Sequence, residues 1–168
     1  FSVPLKGAAI ENSASFTIRN ACASDIDTLA EMRWDFRIEH GIAASSVEKE
    51  EFIPIIKQFL VGAIDDPAWT IWVVDLDGLI ISHIFCQRIK KMPRPENIHP
   101  EFGYVTNVYT RPAFRKLKVG SRLLRHVQDW AIEEKLEMLV LWPSTKAIPF
   151  YEREGFLLSG SMEWVKQE

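Results

Sequence analysis

Residues 102–110, FGYVTNVYT, read as a strand, and residues 119–135 place Leu123, Leu124, Val127, Trp130 and Ala131 on one helical face. Arg111, Arg115, Lys116 and Lys118 crowd the connection between them, Gly120 follows, and Arg122 stands just beyond. A strand that turns through a basic loop into a helix restricts both fold and function. The first N–H groups of a helix have no partner inside it, and the helix dipole favours negative charge beyond that end. Gly120 lacks a Cβ, so a phosphate oxygen could approach the main chain closely. Arg115 and Lys118 add charge, and a guanidinium can hold a phosphate through two parallel hydrogen bonds. The pattern predicts an anion site able to hold a pyrophosphate. Neither common nucleotide fingerprint is present: there is no GxxxxGK[ST], and no GxGxxG follows the first strand.

The positive charge is local. The 168-residue chain has a formal net charge of −3, so nucleic-acid binding has no general electrostatic support. The length fits one domain, residues 16–168, after an N-terminal extension, 1–15, expected to be loosely ordered. A hydrophobic share of 47% argues for a substantial core. No apolar run is long enough for a membrane span, and no cleavable leader pattern opens the chain, so the expected location is the cytoplasm. Cys22 and Cys86 read as two buried thiols in a reducing compartment. His40, His83, His99 and His126 show no metal-ligand spacing with them, so no metal is expected.

Along the chain, 16–20 reads as a strand. Ser24 is placed to cap a helix through about Glu39, which Gly41 would end. Ser45 and Glu48 have capping-box spacing, and the apolar pattern from Phe52 to Ile64 predicts a helix. Pro54 suggests that region 45–65 is two pieces, with the proline in a first turn. Residues 69–75 and 79–89 read as strands joined by an Asp77-Gly78 hairpin turn, with Trp69 and Trp72 in the core. The proline-rich 91–100 is a loop, 138–142 a buried strand, 147–154 a short helix stopped by Gly155, and 156–165 one or two last strands. An exposed final strand could pair subunits into a homodimer. The order β-α-α-β-β-β-α-β-α-β argues for a mixed sheet with helices on its faces.

The stretch YVTNVYTRPAFRKLKVGSRLL resembles motif A of the GNAT superfamily of N-acetyltransferases, with Arg115, Val119 and Gly120 in register. AIPFYEREGF, residues 147–156, is similar to that family's second signature, and the spacing between the two fits one helix and one strand. The resemblance covers nearly the whole chain. It implies an α/β (α+β) fold, a mixed and mostly antiparallel twisted sheet of about six or seven strands flanked by about four helices. It also implies that the anion is the pyrophosphate of acetyl-CoA. There is one departure: Lys118 stands where the family has its first motif glycine, and Lys116 where a glycine is common.

The resemblance carries several residue roles. The loop Arg115, Lys116, Leu117, Lys118, Val119, Gly120 and Ser121 would hold the pyrophosphate. Val108, Tyr109 and Thr110 would offer a strand edge to the amides of the pantetheine arm, and Ser144 matches a position that often contacts that arm. Tyr151 is the expected general acid toward the departing thiolate, since a phenol of pKa about 10 faces a thiol of about 8.5. The substrate amine would need a base, or water leading to one. Thr106 occupies the family's usual glutamate position and is no base, which leaves Glu101, Tyr104 and His83 as candidates. Glu31, Asp35 and Glu39 share a helix face that could form an acidic lip for a cationic amine, with Trp34 as a pocket wall and Arg33 and Arg37 as neighbours. With no cysteine near either motif, the expected reaction is direct attack in a ternary complex on behalf of a small-molecule or peptide amine. A non-catalytic acyl-CoA-binding or regulatory module is the alternative.

Overall fold

Asp77 and Gly78 both adopt positive φ, 50° and 87°, and this two-residue turn joins strand β2 (Trp69–Leu76) to β3 (Leu79–Lys90). The hairpin is the centre of a sheet seen in a computed structural model that describes residues 16–41 and 47–160. β1 (Thr17–Asn20) pairs antiparallel with β2, and β4 (Glu101–Thr110) antiparallel with β3. β5 (Leu139–Val140) pairs parallel with β4, which gives the order β1-β2-β3-β4-β5. Four α-helices accompany the strands: α1 (Ile26–Glu39), α2 (Lys49–Asp65), α3 (Val119–Glu133) and α4 (Ile148–Arg153).

Alternation along the strands builds two cores. Trp72, Val74, Ile84, Cys86 and Val105 face α3 and α4, where Val119, Leu123, Leu124, Val127 and Tyr151 cover them. Ile71, Val73, Ile80, Phe85 and Tyr109 face α1 and α2, where Leu29, Met32, Leu60 and Ala63 close the layer. The sheet is thus buried on both sides at its centre, as a mixed sheet with crossover helices must be.

The expected elements are present, with several corrections. The sheet has five strands among the described residues rather than six or seven: residues 156–160 form no strand, and the rest of that expected segment lies outside the described residues. The strand expected over 138–142 contracts to Leu139–Val140, half-buried rather than buried, and Trp142 is exposed. α3 ends at Glu133, and Lys135 turns the chain with φ 57°. Region 49–65 is one helix, not two pieces, and Pro54 sits in its second turn. A proline there removes one helical hydrogen bond, and an exposed position lets water satisfy the carbonyl left behind. Ser45 of the expected capping box, and the 1–15 extension, lie outside the described residues. Cys86 is buried, but Cys22 is exposed.

The single parallel pairing depends on Gly103. A Cβ there would stand 2.6 Å from Leu139 Cδ2 and 2.8 Å from Cys86 Sγ, too close unless those neighbours shift. Gly103 N–H also donates to Met138 O at 3.0 Å, so the contact fixes where β5 meets β4. Gly103→Ala is expected to cost about 2 kcal/mol, as overpacking of a filled core does. Urea unfolding of the two proteins checks the figure.

Candidate active site

The connection from β4 to α3 has a special backbone. Lys116 and Lys118 hold φ 63° and 60°, the left-handed region, at the two positions where the resemblance expects glycine. A side chain there costs roughly 1–2 kcal/mol per residue, so this geometry is imposed by its surroundings. Alternating left-handed residues with ordinary ones turns successive N–H groups toward one point, the backbone form of an anion nest. None of the six N–H groups of residues 116–121 finds a partner among the described residues, and the first helical N–H bond is Arg122 to Lys118 O at 3.0 Å. Both lysine side chains are exposed, so neither blocks the main chain.

Gly120 sits where three elements converge. A Cβ built on it would lie 3.5 Å from Thr110 Oγ1 and 3.7 Å from the Phe150 ring, ordinary contact that the fold itself would accept. The end of β4, the start of α3 and the first turn of α4 therefore surround one small space. Ser121 and Arg125 hydrogen bond to Glu154 and hold its carboxyl below the usual range, tying α3 to α4 behind that space.

Arg115 is placed differently from the expectation of a free phosphate ligand. Its guanidinium grips both oxygens of Glu39, at 2.7 Å for the Nη2 contact, and its Nε donates to Thr110 O at 2.9 Å. It also lies over the Tyr109 ring. The hydrogen bond from Arg115 holds the Glu39 carboxyl below its ordinary pKa. Arg115 thus fastens the loop to the end of α1, and the six N–H groups are left without a partner among the described residues.

The next feature is the free edge of β4. β5 covers β4 only at Gly103 and Tyr104, so the edge from Val105 to Thr110 has no strand partner on that side among the described residues. Val108, Tyr109 and Thr110 all lie on this stretch. Ser144, at the turn after β5, is exposed, and its side chain has no partner among the described residues.

A bulge bends β4 at this place. His83 faces Tyr109 and Phe85 faces Thr106, so Asn107 and Val108 together oppose Ile84. Asn107 has φ 49°, a conformation asparagine tolerates better than most residues. Its carbonyl accepts the Nδ1–H of His83 at 2.7 Å, and its Oδ1 accepts from Arg33 Nη1 at 3.0 Å. His83 is fully buried, and its Nε2 has no hydrogen-bond partner among the described residues. Burial first, and then the fields of Arg33 and Arg111, push its pKa down to about 4, against the pull of its bond to Asn107. The imidazole is neutral at pH 7, a weak base in a dry setting.

Tyr151 lies on α4 with its ring between those of Phe150 and Phe156, at 5.1 and 5.7 Å. Its hydroxyl has no hydrogen-bond partner among the described residues. Burial pushes the phenol up to about 12.

Other expected site residues fall elsewhere. Glu101 begins β4, about 30 Å along the strand from Thr110. Its carboxylate is taken by Arg88 at 2.7 Å, and Arg88 also meets Glu134. The Tyr104 ring packs against Trp142 at 4.8 Å. The acidic face of α1 is largely neutralised, though not by Arg33 and Arg37: Glu31 meets Lys49 at 2.5 Å, Glu39 meets Arg115, and Asp35 is exposed. Trp34 turns to Phe52 of α2, ring to ring at 5.7 Å. Sequence reasoning missed Asn107 as the pivot of the bulge. An asparagine inside a strand of β-formers is the signal that could have pointed to it.

The profile of the acetyltransferase (GNAT) family matches residues 26–156. No protein of curated function matches the chain in sequence. Solved structures of similar fold include the predicted acetyltransferase from Clostridium acetobutylicum determined with acetyl-CoA. It is 21% identical, with 92% of this chain and 96% of that one covered and a TM-score of 0.76. Glucosamine-6-phosphate N-acetyltransferase from Arabidopsis thaliana is 20% identical over 91% of this chain and 98% of its own, with a TM-score of 0.66. An aminoglycoside acetyltransferase from an uncultured soil metagenomic sample is 10% identical over 91% and 95%, with a TM-score of 0.70.

Proposed function

Because the chain belongs to the acetyltransferase (GNAT) family, whose co-substrate is acetyl-CoA, we propose that it moves acetyl to a primary amine by direct attack in a ternary complex. The observation that carries this reading is the row of six N–H groups at 116–121 that have no partner among the described residues, with Gly120 among them. That row suits a diphosphate, which needs many donors and no single strong one. The free edge at Val108, Tyr109 and Thr110 suits the amides of the pantetheine arm, and the exposed hydroxyl of Ser144, in the turn after β5, suits a further contact with it. When bound, the thioester supplies an activated acetyl group and a thiol leaving group. The relatives named for glucosamine-6-phosphate and aminoglycosides support an amine as acceptor.

The chain's own groups fit direct transfer. Burial pushes the Cys86 thiol up to about 12, so it holds no thiolate at pH 7, and Cys22 sits before α1, next to Asp25. Neither cysteine offers an acyl-carrying nucleophile, which favours the ternary complex. Tyr151 holds its proton and can donate a hydrogen bond toward sulfur. Thr106, on the face of β4 shared with Tyr109, can hold a water for the amine proton. The enzyme is expected to act in the cytoplasm.

Calorimetry with acetyl-CoA tests the reading. Wild type should bind in the range of about 1 μM to 1 mM usual for substrates. Gly120→Ala should weaken binding by about tenfold or more, because the added methyl fills the space at Thr110 and Phe150. Its melting temperature should not fall, since alanine is the better helix former and meets only ordinary contacts. Absence of heat with wild type sinks the reading. Binding without turnover on any amine or peptide favours the non-catalytic module.

A further inference from the structure

We propose that the acceptor amine carries an oxyanion, a carboxylate or a phosphate, and that Arg33 binds it at the β4 bulge with Asn107 holding the guanidinium in place. This rests on the acetyl-transfer reading and narrows its substrate class.

Arg33 leaves α1 on the side that packs on the sheet, among Leu29, Met32 and Phe36. It is half-buried, and its guanidinium lies over the Phe36 ring at 5.5 Å. Its one hydrogen bond among the described residues runs from Nη1 to Asn107 Oδ1 at 3.0 Å. Nε and Nη2 have no partner there, and no carboxylate pairs with it among the described residues. The contrast with Arg19, Arg88 and Arg115 is direct, because each of those grips a carboxylate. A cation drawn out of water without a counter-charge is costly, and a bound anion offsets that cost. Burial, and then the like charge of Arg37, pull the Arg33 pKa down, which shows how poorly the protein alone solvates this charge.

The position is as informative as the charge. Asn107 is anchored from behind, because its carbonyl accepts from the buried ring of His83. It therefore presents Oδ1 in a fixed direction and orients Arg33. The next three residues, Val108, Tyr109 and Thr110, form the free strand edge proposed for the cofactor arm. An oxyanion on Arg33 would hold the rest of an acceptor within reach of that edge. Two of the three acidic residues on that helix face are spent, Glu31 on Lys49 and Glu39 on Arg115, and Asp35 stays exposed. What the site offers an acceptor is thus a free guanidinium with spare donors in a fixed fork, the group best matched to carboxylate and phosphate.

Paired substrates test the proposal in two arms. One compares amino acids with their amides, and the other compares phosphorylated amino sugars with the unphosphorylated sugars. In one arm the acidic member should show kcat/KM about tenfold or more above its neutral partner, and the arm that responds identifies carboxylate or phosphate. Arg33→Gln should erase that difference through KM, and Arg33→Lys should restore part of it, with the acetyl-CoA dissociation constant of both variants at the wild-type value. Equal or better use of the neutral members overturns the proposal. So does an equal loss on both members in Arg33→Gln, or no acetylation of any acidic amine by protein that binds acetyl-CoA. Failure to bind acetyl-CoA at all instead removes the acetyl-transfer reading, and this one with it.

Discussion

Tyr151→Phe should lower kcat by about 10²- to 10³-fold while the dissociation constant of acetyl-CoA stays within about twofold. The ring is packed between Phe150 and Phe156, and phenylalanine keeps that packing. The hydroxyl bonds to nothing among the described residues, so removing it should leave urea stability nearly unchanged. On the acetyl-transfer reading, what is lost is a donor toward developing negative charge, and such donors act mainly in the transition state. The phenol at about 12 also refines its role. Full proton transfer to a thiolate of ordinary pKa, about 8.5, would be uphill by about 5 kcal/mol, so the hydrogen bond is the larger contribution. The neutral form persists well above pH 10, and Tyr151 should add no falling limb to the pH–rate profile below that value. A variant with unchanged kcat, or one that loses binding and stability together, removes this assignment.

Lowering the pH from 7 to 4 should cost about 3 kcal/mol of folding stability through His83 alone. Its folded pKa is about 4, against 6.5 for the free side chain. Between these values the unfolded chain binds a proton that the folded protein refuses, so stability falls as the pH drops through 6.5 toward 4. The cause is geometric. Nδ1–H already serves Asn107 O, so the incoming proton must go to Nε2, which is sealed in the core between Phe85 and Tyr109. Carboxylates with lowered pKa, such as Asp25, Glu39 and Glu154, act below their ordinary value of about 4, so the window above pH 4.5 belongs mainly to His83. Urea unfolding of wild type and His83→Asn at pH 7 and pH 5 checks the result. The variant should start less stable and lose much less on acidification; parallel losses would mean that His83 is not the acid-labile group.

The residues of β2, β3 and α3 show why so much was legible in the chain itself. Their apolar spacing, the Asp77-Gly78 turn and the basic loop before Gly120 are local signals, and each element formed where its own period placed it. The family read from the stretches 104–124 and 147–156 is the one whose profile matches residues 26–156. β5 was over-read because a run of apolar residues near a strand can be half-buried surface, and only the pairing with Gly103 decides its length.

The amino-acid order alone determined most of the elements, the family and the place of the basic loop before a helix start, because periodicity and turn chemistry are properties of neighbouring residues. The tertiary structure decided which charges are free. Arg115 looked like a phosphate ligand and is held by Glu39, Glu31 looked like a substrate acid and is held by Lys49, and Arg33 looked like their neighbour and meets Asn107 but no carboxylate among the described residues. Those partners come from distant parts of the chain, 74 residues apart for Arg33 and Asn107, and a charge pair depends on separation in space, to which sequence distance gives no guide.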